Sequence, residues 1–96
     1  MHQEKIQLND LAYQGLSIPT AKANLLMIKT EKGFLGCGYF NIEVANKLGE
    51  AVALVTGVKS FDDMLNAKVF DCSTEAQELG IKKGMLGRDA LPRLHG

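Results

Sequence analysis

The sequence predicts a single α+β domain built on a mixed β-sheet, with two N-terminal hairpins, a β-α-β-α-β run packed with short helices, and two C-terminal helices. Three observations lead there. As far as Tyr39, short apolar or alternating runs are separated by turn residues, the signature of hairpins. From Asn41 the apolar spacing changes to three and four, with capping side chains at helix starts and glycines at their stops. Between two such helices lies Ala51–Val55, apolar without alternation, as in a strand buried on both faces.

Taken in order, Lys5–Leu8 places Ile6 and Leu8 on one face, and Asn9-Asp10 supplies turn chemistry. Tyr13–Ile18 aligns Leu16 with Ile18 before Pro19, which cannot donate to a ladder, stops the strand. These two runs make the first hairpin. Asn24–Thr30 and Phe34–Tyr39 make the second around Glu31-Lys32-Gly33, a three-residue loop whose last position suits glycine in a left-handed backbone. Asn41 caps a helix over Ile42–Leu48, and Gly49 ends it. Thr56-Gly57 closes the buried strand, and Ser60 opens a short helix with Asp63 as its capping-box partner. Lys68–Asp71 reads as a weak strand, and Thr74 caps Glu75–Leu79 with Gly80 as the stop. Gly84–Leu94 has helical spacing, which Pro92 is expected to kink or end near Leu91. If the strands between Phe34 and Asp71 all run parallel, their carboxyl ends share one sheet edge. The loops closed by Asn41, Ser60 and Thr74 then meet at the edge where open α/β sheets bind ligands.

Composition narrows the function classes. The chain has 96 residues, the size of one domain. Eleven basic residues balance eleven acidic ones, giving a formal net charge of zero. A nucleic-acid binder or a polybasic membrane module would show an excess of Lys and Arg. The longest apolar runs, Leu25–Ile28 and Ala51–Val55, fall far short of the ~20 residues of a membrane span. The first residues carry no apolar core of an export signal, so a cytoplasmic location is expected, with Cys37 and Cys72 as reduced thiols. Neither a metal nor another cofactor is expected. His2 and His95 stand at opposite ends of the chain, and no CxxC or HxxxH spacing occurs.

Three stretches carry a further signal. Gly33-Phe34-Leu35-Gly36-Cys37-Gly38-Tyr39-Phe40-Asn41, Gly57-Val58-Lys59-Ser60-Phe61-Asp62-Asp63-Met64-Leu65 and Leu79-Gly80-Ile81-Lys82-Lys83-Gly84-Met85-Leu86-Gly87-Arg88-Asp89-Ala90-Leu91 resemble the YunC-like family of small single-domain prokaryotic proteins, a domain of unknown function. The likeness runs in order over nearly the whole chain. It implies a compact α+β domain and no established activity. Pro92 departs from the uninterrupted terminal helix expected of that family.

Several residues are candidates for a site. Cys37, between Gly36 and Gly38 and four residues before the Asn41 cap, reads as a reactive thiol near a helix start or as a small core residue with glycines making room. Without a nearby histidine it lacks a base. Cys72, at the end of the third strand of the run, reads as its redox partner or as a packed thiol. Thr56, Gly57, Lys59 and Ser60 join the buried strand to a capped helix. With Gly38 and Asn41 they offer backbone N–H groups, hydroxyls and one cation to a carboxylate or phosphate, or else serve ordinary capping. Gly84, Gly87 and Arg88, beside Lys82-Lys83, form the one local basic cluster, able to grip an anion or to allow close helix packing. Met27, Phe34, Phe40, Phe61 and Phe70 are expected in the core, whereas Tyr13 and Tyr39 reach a polar partner. Asp62-Asp63 is read as helix-start electrostatics.

The leading functional reading is a small anion-binding or regulatory domain acting as a homo-oligomer, with its ligand at the Gly38–Asn41 and Gly57–Ser60 edge. The alternatives are a Cys37-dependent enzyme or redox protein, and an interaction protein without a small-molecule site. In the last, apolar hairpin strands such as Leu25–Ile28 at a sheet edge pair between subunits.

Overall fold

The computed structural model describes residues 2–8 and 10–95. Its six strands lie in one mixed sheet in sequence order: β1 (His2–Leu8), β2 (Leu11–Pro19), β3 (Asn24–Lys29), β4 (Gly33–Gly36), β5 (Ala51–Leu54) and β6 (Asp71–Cys72). Helices α1 (Ile42–Leu48), α2 (Phe61–Asn66), α3 (Thr74–Glu78) and α4 (Gly87–His95) complete an α+β fold. The two expected hairpins are present, and β2–β3 pairing joins them into a four-stranded antiparallel meander. In the first, Leu8 pairs with Leu11 and Asp10 takes φ 67°; the turn role read for Asn9 lies outside the described residues. Leu25–Ile28 lies on β3 between two neighbours, so the expectation of a sheet edge there is corrected.

The β3–β4 loop closes differently from its sequence reading. Thr30 takes over the turn: its hydroxyl donates to the Gly33 carbonyl (2.9 Å) and accepts from the Gly33 N–H (3.1 Å). Gly33 is not left-handed. A Cβ there would instead collide with the Ala51 carbonyl, so glycine is required by the close approach of β5.

The β4-α1-β5-α2-β6 order is as expected, but only β4 and β5 are parallel. β6 runs antiparallel to β5, with Ala53 opposite Cys72 and Leu54 opposite Asp71. A parallel β6 would have to start at the amino end of β5, and α2, at six residues, is only about 9 Å long. The chain therefore re-enters the sheet at the end it left. Lys68, expected in this strand, forms only an isolated bridge to Leu86.

Burial follows the pleat. One face packs Ile6, Tyr13, Leu26, Ile28, Leu35 and Ala53 against Met64 and Leu65 of α2, Ala76 of α3, and Ala90, Leu91 and Leu94 of α4. The other face holds a smaller cluster, Val52 and Leu54 under Ala45 of α1, with Phe34, Phe40 and Ile42 at its margin. Phe70 escapes the core and is exposed.

Three helix ends are set by side chains. Asn41 caps α1 through the N–H groups of Glu43 and Val44, and Gly49 terminates it with φ 73°. At α2, Ser60 accepts from the Asp63 N–H (3.1 Å) while the Asp63 carboxylate accepts from the N–H of Lys59 (3.0 Å), one residue before the cap whose N–H a capping box would use. At α3 the cap is Ser73, not Thr74. Ser73 is wholly buried and its hydroxyl also joins the β5–β6 ladder, a role the exposed Thr74 could not fill. Helix α4 continues through Pro92 to His95, because buried Leu91 and Leu94 hold both turns to the sheet and the Leu94 carbonyl accepts from Lys32 N–H (3.1 Å). Proline costs one bond, to the carbonyl of the exposed Arg88.

Candidate anion-binding cleft

The chain leaves the two parallel strands in opposite directions. After β4 it crosses to α1 on one face, and after β5 it crosses to α2 on the other. Diverging connections open a crevice at the carboxyl ends of such strands. Because β3 is antiparallel to β4, its amino end and the β2–β3 turn arrive at the same edge. The result is a cleft of about 680 Å³ with three parts: Lys22, Ala23 and Asn24 from the β2–β3 turn, Cys37, Gly38 and Tyr39 after β4, and Thr56, Gly57, Val58 and Lys59 after β5.

The β2–β3 turn is stiff. Thr20 N–H donates to the Ala23 carbonyl (2.7 Å), and the Thr20 hydroxyl donates to that same oxygen (2.9 Å) while accepting from Ala23 N–H (3.0 Å). With its proton so used, Thr20 Oγ1 accepts from the Tyr39 phenol at 3.2 Å. Tyr39 is 56% exposed yet tethered to the turn that carries Lys22. Gly57 sits at φ 72°, a backbone that glycine adopts without strain. Gly38 is different: a Cβ there would meet only Thr56 Oγ1, at 3.6 Å, so the fold tolerates a side chain in that wall. Among the described residues, neither Lys22 nor Lys59 forms a salt bridge with a carboxylate.

Cys37 lines this cleft but is committed to the sheet. Its N–H donates to the Leu26 carbonyl (3.1 Å) and its Sγ accepts from the Leu26 N–H (3.3 Å), so the thiol stands in for a ladder carbonyl as β4 ends. Cys72 lines a separate cavity with Gln77, Ile81, Lys82 and Lys83, and both thiols are free. The antiparallel β6 carries Cys72 away from the β4 loop, which removes the geometry expected for a redox pair. Burial and the neighbouring Asp71 carboxylate push the Cys72 thiol up, the direction of an inert thiol.

Of the residues singled out in the sequence, Gly38, Thr56, Gly57 and Lys59 come together with Cys37. Asn41 and Ser60 stand next to the cleft in sequence and spend their side-chain oxygens on their own helices. The Gly84–Arg88 stretch is not part of it. Gly84 turns at φ 92°, Gly87 lies so near the Met64 carbonyl that no Cβ fits, and Arg88 donates to the Asn66 side-chain oxygen. Lys22 and Asn24 were missed. No local pattern marks them, because only the β2–β3 and β3–β4 pairings bring the intervening turn to the carboxyl end of β4. Among the described residues no group of three or more His, Cys, Asp or Glu side chains gathers to hold a metal, and no helix is long and apolar enough to cross a membrane.

Residues 36–94, which include the Gly38–Tyr39 and Thr56–Lys59 walls, match the profile of a domain of unknown function, DUF1805. The chain belongs to this family. It is 26% identical over 93 residues to the uncharacterized protein YunC of Bacillus subtilis (strain 168), covering 93% of this chain and 92% of that one. The crystal structure of TA1206 from Thermoplasma acidophilum, a protein of unknown function, superposes with a TM-score of 0.92 at 41% identity, over 97% of this chain and 91% of its own. Family, sequence relative and structural relative thus agree with the YunC-like resemblance and the α+β fold, and the descriptions of all three state no activity.

Proposed function

We propose that the protein binds a small anionic metabolite in the cleft at the carboxyl ends of β4 and β5. The observation that supports this most is the convergence of Lys22 and Lys59 from different loops on a pocket of ligand size at a point where the connections diverge. Two ammonium groups that meet no carboxylate among the described residues favour an anion at a concave site. Thr56 adds a hydroxyl and the Gly38 and Gly57 segments leave backbone open to it. The test is titration calorimetry with inorganic phosphate, pyrophosphate and citrate. Saturable binding of at least one is expected, weakened tenfold or more by Lys22→Ala or Lys59→Ala, and blocked by Gly38→Val in a protein that still melts normally. Absence of binding, or affinity indifferent to both lysines, ends this reading.

We also propose that a second copy of the chain covers the sheet face beside α1. Helix α1 shelters only β4 and β5, leaving half-buried Leu16 and Met27 and the exposed Ile18 on the neighbouring strands. On α1, which packs on this same sheet face, Val44 and Leu48, one turn apart, are 51% and 68% exposed. An apolar ridge next to an apolar trough is self-complementary under a two-fold rotation. Light scattering should give a dimer mass that Leu48→Glu reduces to the monomer; a wild-type monomer at high concentration refutes this.

A further inference from the structure

The cleft is too large for its charge alone. At about 680 Å³ it falls within the range that encloses drug-sized ligands, far more than a bare phosphate fills. Its cations are also separated. Lys22 comes from the β2–β3 turn and Lys59 from the loop after β5, on either side of the segment that follows β4. Between them the lining adds the polar side chains of Asn24 and Thr56 but no further charge. The remaining feature is the Tyr39 ring. An exposed tyrosine on a loop ordinarily has a free hydroxyl and a mobile ring, but here the phenol is bonded to Thr20, which is itself locked by its own turn. An aromatic ring that lines the cleft is thereby tethered through its own hydroxyl before any ligand arrives.

We infer that the occupant is an aromatic phosphomonoester of nucleotide size, its ring on Tyr39 and its phosphate between Lys22 and Lys59; this rests on the anion-binding reading above. A phosphomonoester carries nearly two charges on one compact group at neutral pH. Lysines meet it as point charges on flexible stems that reach in from both walls. An aromatic base stacks on the phenol face through dispersion and offset π contact, which demands a ring held still and not a hydrogen-bonding pattern. The reading makes Tyr39 a specificity residue and the lysines the source of affinity.

Titration of four probes separates the two levels: inorganic phosphate, ribose 5-phosphate, phenyl phosphate and adenosine 5′-monophosphate. At least one ring-bearing ester is expected to bind tenfold or more tightly than ribose 5-phosphate. Tyr39→Ala should abolish that preference, and Lys59→Ala should weaken every probe. The chain has no tryptophan and two tyrosines, one of them buried, so quenching of Tyr39 emission gives a second readout. Equal affinity for ringed and ringless esters, or a preference that survives Tyr39→Ala, overturns this inference and leaves the anion site standing. No saturable binding of any probe overturns both. A melting curve of Tyr39→Ala checks folding, which its exposed position should preserve.

Discussion

Replacing Ser73 by alanine should be among the most damaging single-oxygen deletions in this protein. The hydroxyl makes three hydrogen bonds at a fully buried site: it donates to the Glu50 carbonyl (2.8 Å) and accepts from the N–H groups of Val52 (2.9 Å) and Ala76 (3.3 Å). The Ala76 bond is the N-cap of α3, whose loss costs about 1 kcal/mol. The Val52 bond is a ladder bond, since Ser73 N–H already donates to the Val52 carbonyl (2.8 Å) and the hydroxyl replaces the return partner. Stranding that N–H in a buried strand costs a further ~1–3 kcal/mol. The sum is about 2–4 kcal/mol, or roughly 10–30 °C in Tm for a domain of this length. Urea denaturation followed by circular dichroism measures it, with an unchanged m-value showing that stability alone has moved. Two controls use the same chemistry in other surroundings. Ser60→Ala removes an exposed cap that water replaces and should cost about 0.5–1 kcal/mol. Thr74→Ala should cost less than about 0.5 kcal/mol, as for a surface position. A Ser73→Ala loss no larger than that of Ser60→Ala would refute the argument from burial.

Other perturbations test separate parts of the structure. Gly87→Ala should destabilise by at least about 2 kcal/mol in urea melts, because its Cβ must displace the Met64 carbonyl; a neutral result would reopen a ligand role for that glycine. Stability should decline as pH rises beyond about 9, where the unfolded Cys72 thiol ionises while the folded one, its pKa raised from 9.0, still holds its proton. The unfolded state then binds fewer protons, so the slope is negative. Tyr13, buried and raised from 10.0, extends the decline, and Cys72→Ala should flatten its first part in chemical melts across that range. Alkylation of Cys37 by iodoacetamide should be slow in the native protein and fast in urea, since the thiol is 5% exposed and bonded to Leu26; rapid native labelling would restore the reactive-thiol reading.

How far these features could be read from sequence depends on the range of the forces involved. Local signals were reliable where the partner lies within one turn. Asn41, Ser60 with Asp63, and Gly49 cap or stop helices as their types suggest, because the bonds they make close within four residues. The hairpins followed from alternation and turn residues. Errors arose where two residues compete for one local role and a distant segment chooses. Ser73 and Thr74 are equally good caps, and only the Val52 N–H, 21 residues away, selects the serine. Gly33 suits a left-handed turn, yet Ala51 is what requires it. Pro92 should stop a helix in isolation, but burial of Leu91 and Leu94 outweighs one missing bond.

The cleft divides in the same way. Gly38, Thr56, Gly57 and Lys59 were visible because loops after strands are where α/β chemistry collects. Lys22 and the tethering of Tyr39 were not, since they depend on the antiparallel β2–β3 and β3–β4 pairings that bring a third loop to the same edge. Sequence by itself determined the α+β class, the order of elements and the caps of α1 and α2, all set by periodicity and short-range bonds. Tertiary structure decided the direction of β6, the identity of the buried cap and the arrival of the β2–β3 turn beside the loops after β4 and β5. Those depend on contacts between residues far apart in the chain, which no local pattern encodes.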